Sequence, residues 1–112
     1  MSVFYKRHMR IGIVGGVDRT ANLLQSVAAE HGHQLELHTG VISGAASAAG
    51  LRALVARSEL VVVVTDVNSH NAVRTARREA RLRNRTLRIV RRIGASQLTA
   101  LLNDLDQGRA AS

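Results

Sequence analysis

The pentapeptide Leu60–Val64 (L-V-V-V-V) constrains the fold of this chain more than any other feature. Five consecutive apolar residues have no polar face to turn toward water. Such a run is a strand covered on both sides, and strands of that kind belong to parallel sheets whose crossovers lay helices on each face. Three more short strand-like runs occur, at Arg10–Val14, Gln34–His38 and Leu87–Val90. Apolar residues at helical spacing follow each strand. They are Leu23, Leu24, Val27 and Ala28, then Leu51, Leu54 and Val55, then Val73, Ala76 and Ala80, and finally Leu98, Leu101, Leu102 and Leu105.

Strand–helix alternation repeated four times implies parallel strands joined by right-handed crossovers. The expected fold class is α/β: a small, doubly wound, Rossmann- or flavodoxin-like sheet of four parallel strands in the order 2-1-3-4. A chain of 112 residues holds one core of ordinary size, so residues 1–112 are expected to form a single domain. Residues 1–8 would form an N-terminal arm, and residues 107–112 a frayed tail. Asp18 or Thr20 can cap the first helix, and Gly32 ends it. Gly50 is a weak point in the second helix, after a loop from Thr39 to Ala46. Ser69 can cap a third helix running from His70 to about Arg83. A four-stranded sheet has two open edges, which leads us to expect a homodimer.

The chain carries a net charge of +8, and its location is more telling than its size. Between Arg74 and Arg92 lie nine arginines and the single acid Glu79, so this segment accounts for the whole excess. A cluster of that kind is either a solvated helix face or an attractor of anionic partners. There is no cysteine, which excludes disulfides, thiolate metal sites and a cysteine nucleophile. The only aromatic residues are Phe4 and Tyr5, too few for a platform on which bases could stack. No segment reaches the roughly 20 apolar residues of a membrane span. Lys6, Arg7 and Arg10 precede the run Ile11–Val17, which meets Asp18 and Arg19 where a signal peptide would carry small residues. A cytoplasmic protein is therefore expected.

Ligands of open parallel sheets sit at the carboxyl ends of the strands, where successive connections leave for opposite faces. With the order 2-1-3-4 that point lies between the first and third strands. The residues just past the strand ends are Gly15, Gly16 and Arg19; His38, Thr39 and Gly40; Thr65, Asp66, Asn68, Ser69 and His70; and Arg91 and Arg92. Gly15-Gly16 permits a tight turn that can present backbone N–H groups to an anion. The segment reads G-x-x-G-G with no G-K-[ST] after it, so it matches neither the dinucleotide fingerprint nor a P-loop. Asp66 ends the most buried strand, where a carboxylate can serve as base, nucleophile, Mg²⁺ ligand or helix cap. His70 falls in the first turn of a helix, whose dipole favours a neutral imidazole. His31, His33 and His38 form H-x-H-x4-H without helical spacing, which is not a zinc pattern. His8, His31 and His33 are expected at the surface.

The glycine pair Gly15-Gly16, the turn His38-Thr39-Gly40 and the stretch Thr65–Ala72 (T-D-V-N-S-H-N-A) together resemble a bacterial domain-of-unknown-function family, DUF2325. The resemblance runs from about Arg10 to Leu102. It implies the same α/β fold and places the family pattern on Gly15, Gly16, His38, Gly40, Asp66, Ser69, His70, Arg77 and Ser96. The chain departs from that pattern at Leu37 and Thr39, where relatives carry His and Asp, and at Val67 and Ala80, where relatives carry Cys. If relatives use Cys and His there for metal or redox work, this chain lacks part of that apparatus.

The favoured functional reading is a ligand-binding or regulatory module, more than an enzyme, that holds an anionic small molecule at the strand-end rim. Its binding residues would be Gly15, Gly16, Arg19, His38, Thr39, Gly40, Thr65, Asp66, Ser69 and His70. Three alternatives stand beside it. One is a hydrolase with Asp66 as base or nucleophile and His70 or His38 as general acid, although no G-x-S-x-G elbow and no Asp pair for Mg²⁺ accompanies them. Another is nucleic-acid binding in which Arg74, Arg77, Arg78 and Arg81 contact phosphates. The last is a metal or haem centre shared by His38 and His70. The sequence designates no particular cofactor.

Overall fold

The computed structural model describes residues 8–16, 20–66 and 68–111, with side chains up to residue 106. Strands β1 (Arg10–Val14), β2 (Gln34–His38), β3 (Leu60–Val64) and β4 (Thr86–Val90) alternate with helices α1 (Ala21–Glu30), α2 (Ala45–Arg57), α3 (His70–Leu82) and α4 (Ala95–Ala111). All strand pairs are parallel and the order is β2-β1-β3-β4. This is the expected doubly wound α/β sheet. The helical path of α4 runs to Ala111, through the tail expected to fray.

The continuous apolar run folds as its composition dictates: every residue of β3 is buried. Alternate side chains feed two cores. Leu60, Val62 and Val64 join Ile11, Ile13, Leu24, Val27, Leu98 and Leu102 beneath α1 and α4. Val61 and Val63 join Val14, Leu51, Leu54, Val55, Ala72, Ala76 and Ala80 beneath α2 and α3. Helix α2 lies very close to β1, because Gly12 has no side chain. A Cβ built on Gly12 would fall 2.3 Å from Leu54 Cδ2 and 2.5 Å from Ser58 Oγ. Gly50 is accommodated inside an unbroken α2. Thr20 is the N-cap residue of α1 but makes no capping side-chain bond, and Asp18 lies outside the described residues.

Two histidines expected at the surface are not there. His33 is buried (3% exposed) and His31 is half-buried. The turn that Gly32 makes after α1, with φ of +80°, aims both rings toward the last turns of α4. The His33 Nδ1 accepts the Met9 N–H at 3.2 Å, so a neutral ring carries its proton on Nε2, which faces Asp106 Oδ1 at 3.7 Å. His31 Nδ1 lies 3.6 Å from the other oxygen of Asp106. The group ties β1, β2 and α4 together. Its geometry does not suit a metal, because the His33 nitrogen nearest the carboxylate bears the proton.

Candidate functional site

The carboxyl ends of β1, β2 and β3 meet as the strand order requires, and the loops after them interlock. The Gly15 N–H donates to the His38 carbonyl at 2.8 Å, which carries the β1–β2 ladder one residue past the strands. Gly15, Gly16 and Gly40 all have positive φ (105°, 62° and 85°). Only glycine adopts these angles without cost. Gly40 is also enclosed. A Cβ there would sit 2.4 Å from Asn68 Oδ1 and 3.0 Å from Gly15 Cα.

Asn68 is the centre of the arrangement. Its Nδ2 donates to the Val14 carbonyl at 3.1 Å and to the Val64 carbonyl at 2.8 Å, while its Oδ1 accepts the Ser69 N–H at 2.9 Å. The reverse orientation of the amide would set oxygen against two carbonyls, so this network assigns it. One side chain thus joins the ends of β1 and β3 at the point where the strand order reverses. Ser69 joins the end of β2 to the same cluster. Its Oγ donates to the Gly40 carbonyl at 2.8 Å and accepts the Ala72 N–H at 3.1 Å, capping α3 as expected. Asn68 was legible only as one polar residue among several on the rim. Its position four residues beyond the end of the most buried strand is the signal that could have singled it out.

The rim residues therefore divide by what they already hold. His38 is committed: Nδ1 accepts the Gly40 N–H at 3.0 Å and Nε2 lies 3.1 Å from the Ser47 carbonyl. Since one nitrogen accepts, the other carries the proton and donates. Neither is open to a metal ion, and His38 acts as a clamp between its own loop and α2. The Thr39 Oγ1 accepts the Val41 N–H at 3.3 Å. Asp66 turns away from α3 toward β4. Arg92 Nε lies 3.1 Å from its Oδ2 and Arg91 Nε 3.5 Å from its Oδ1, and its backbone N–H donates to the Arg91 carbonyl at 3.0 Å. Thr65 likewise bonds the Val90 carbonyl through both its N–H and its hydroxyl. Gly16 and His70 remain exposed at the rim, with no side-chain partner for His70 among the described residues. Arg19 and Val67 lie outside the described residues.

No group of three or more His, Cys, Asp or Glu side chains placed to hold a metal occurs among the described residues. No helix there is long and apolar enough to cross a membrane. A separate open cleft of about 550 Å³ lies at the opposite, amino ends of β1 and β2, lined by Arg10, Gln34, Glu36, Arg57 and Ser58 among others. Across it Arg57 donates from Nε to Glu36 Oε1 at 3.1 Å and pairs with Oε2 through Nη2. The hydrogen bond to Glu36, and then its charge, raise the Arg57 pKa above its ordinary value.

The comparisons with known proteins agree with the resemblance noted in the sequence. No curated protein matches the chain at a significant level. The family described as "Uncharacterized protein conserved in bacteria (DUF2325)" matches residues 10–105, from the first residue of β1 well into α4. The chain belongs to the DUF2325 family.

Proposed function

We propose that the protein is a small ligand-binding module that takes an anionic small molecule at the carboxyl edge of its sheet, above Gly15, Gly16 and the start of α3. The observation that carries this reading is the interlock of Gly15, Gly40 and Asn68. It fills the gap between the ends of β1 and β3 with the Asn68 amide, so that the exposed backbone of Gly16 and the first turn of α3 are what remains open beside it. Rigid, backbone-lined crevices at such points suit anions, as does the positive end of a helix dipole. His70, exposed on the first turn of α3, would orient the ligand by hydrogen bonding. His38, Asn68 and Ser69 would hold the frame rather than touch the ligand.

Titration of the ¹⁵N-labelled protein with inorganic phosphate and with a nucleoside monophosphate tests this reading. Saturable shifts of the Gly15, Gly16 and His70 amides are expected, with a rise in melting temperature. Ligand at about 100 times its Kd adds roughly 2.7 kcal/mol of stability. Shifts confined to the arginines of α3, or no saturation, would overturn it.

We propose that two copies associate through the β2 edge. Leu35 and Leu37 are only half-buried there, and Leu23 on the neighbouring α1 is 53% exposed. Pairing two copies through β4 would bring Arg88 against its own copy in a like-charge contact. Light scattering at micromolar concentration that returned the 12.1 kDa monomer would overturn the dimer.

A further inference from the structure

The nine arginines between Arg74 and Arg92 do not form one patch, and sorting them by contact isolates a smaller, ordered group. Arg83 Nη1 pairs with Glu79 Oε1 at 3.0 Å, and Arg85 Nη2 donates to the Ala56 carbonyl at 2.7 Å. Arg91 and Arg92 hold Asp66. Arg88 shares its side of the sheet with Val90, which packs on the α1/α4 core, so it is separate from α3. Four remain: Arg74, Arg77, Arg78 and Arg81. All are exposed, and among the described residues only Arg78 has an acid nearby, Glu79 Oε2 at 3.8 Å.

These four lie on one stripe of α3. Its inner face is Ala72, Ala76, Glu79 and Ala80, all buried. The arginines recur on the opposite face at the three-, four- and seven-residue intervals that bring helical side chains together. Glu79 is the only acid of α3, and it points inward. From Arg74 to Arg81 the stripe rises about 10.5 Å. Along the axis of a duplex the phosphates of one strand rise about 3.4 Å each, so a stripe laid parallel to that axis covers the rise of about three steps.

We infer that the outer face of α3, through Arg74, Arg77, Arg78 and Arg81, is a docking surface for the phosphate backbone of a nucleic-acid duplex, bound without regard to sequence. This site is independent of the strand-end crevice. The absence of aromatics beyond Phe4 and Tyr5 argues against single-strand binding by base stacking. An anionic membrane is a poorer fit. A surface-bound helix must put an apolar face into the lipid, and the apolar face of α3 is already buried against the sheet and α2.

The test is fluorescence anisotropy with a labelled duplex DNA of about 20 base pairs, from roughly 50 to 200 mM salt. Neutralising four phosphates predicts a log–log slope near −3.6, a loss of about 150-fold in affinity over that range. Two duplexes of unrelated sequence should bind equally. Changing all four arginines to Gln should abolish binding while leaving the circular dichroism unchanged and the melting temperature no lower than that of the parent. Changing all four to Lys should keep the slope. Arg77→Gln and Arg10→Gln remove the same charge, and Arg10 is exposed at the start of β1, so a single-site comparison guards against a misfolded quadruple variant. Arg77→Gln should reduce the slope by about 0.9, and Arg10→Gln should leave it unchanged. Equal effects of the two would mean diffuse charge and overturn the inference. So would absence of binding at the lowest salt, or binding to anionic lipid vesicles but not to the duplex.

Discussion

Gly40→Ala should cost the protein about 2–4 kcal/mol. At φ of +85° an L-residue sits in the left-handed region, at a cost of about 1–2 kcal/mol. The new methyl would also lie 2.4 Å from Asn68 Oδ1, and Gly15 Cα at 3.0 Å closes the other side. Asn68 must therefore turn, forfeiting some of its bonds to Val14, Val64 and Ser69. Each is worth about 0.5–1.5 kcal/mol net. The lower entropy of the unfolded Ala chain offsets about 0.4–1 kcal/mol of the total. In urea the midpoint should fall by roughly 1–2 M at an ordinary m-value. Asn68→Ala separates the two sources of cost. Alone it loses the hydrogen bonds. Combined with Gly40→Ala it also removes the clash, so the double variant should be less damaged than additivity predicts, by about 1 kcal/mol or more. A Gly40→Ala protein within about 1 kcal/mol of the parent, or strict additivity with Asn68→Ala, would refute the interlock and the crevice built on it.

Other substitutions read other parts of the molecule. Gly12→Ala should destabilise by about 1–3 kcal/mol in urea melts, because Leu54 is 2% exposed and has no room to move from the added methyl. His38→Ala should cost about 1–3 kcal/mol and speed hydrogen exchange of the Gly40 amide; His38→Asn, whose side-chain oxygen can accept that N–H, should recover part of the loss. Asp66→Asn should change stability by less than about 1 kcal/mol, because Arg91 and Arg92 are 83% and 77% exposed and the pairs are screened by solvent. A large loss there would mean that Asp66 holds the β3–β4 ends together in a way that its exposure does not suggest.

The architecture was legible because it rests on periodicity. The run Leu60–Val64 has no polar face, so it had to be central, and the remaining strand order followed from alternation and handedness. The meeting of the β1, β2 and β3 ends, where the site is proposed, followed from the same rule. The roles of residues within it did not, because they depend on which partner each side chain finds, and partners come from loops far apart in sequence. Asp66 and His70 are four residues apart, yet the first turns to Arg91 and Arg92 while the second stays open to solvent. His33 looked like a surface residue in a polar stretch. What buries it is the packing of α4 beside α1, which no local pattern reveals.

The same distinction separates the two proposed sites. At the strand-end rim nearly every polar side chain is spent on the frame: Asn68 on two strand ends, Ser69 on Gly40, His38 on its loop and α2. Among the described residues, what is left there for a ligand is backbone, the helix dipole and the His70 imidazole, which suits the small anion proposed. On α3 the reverse holds. The inner face is spent on packing, and among the described residues the outer arginines have almost no acid to pair with. A protein that needed those charges only for solubility could scatter them. Here Arg74, Arg77, Arg78 and Arg81 share one stripe, and the only acid of the helix is turned away from it. Charge held on a rigid face costs stability through self-repulsion, and an anionic partner is what relieves it. The protein should therefore be measurably stabilised against urea by the duplex at low salt, and this stabilisation should vanish in the four-Gln variant while that by inorganic phosphate at the rim remains.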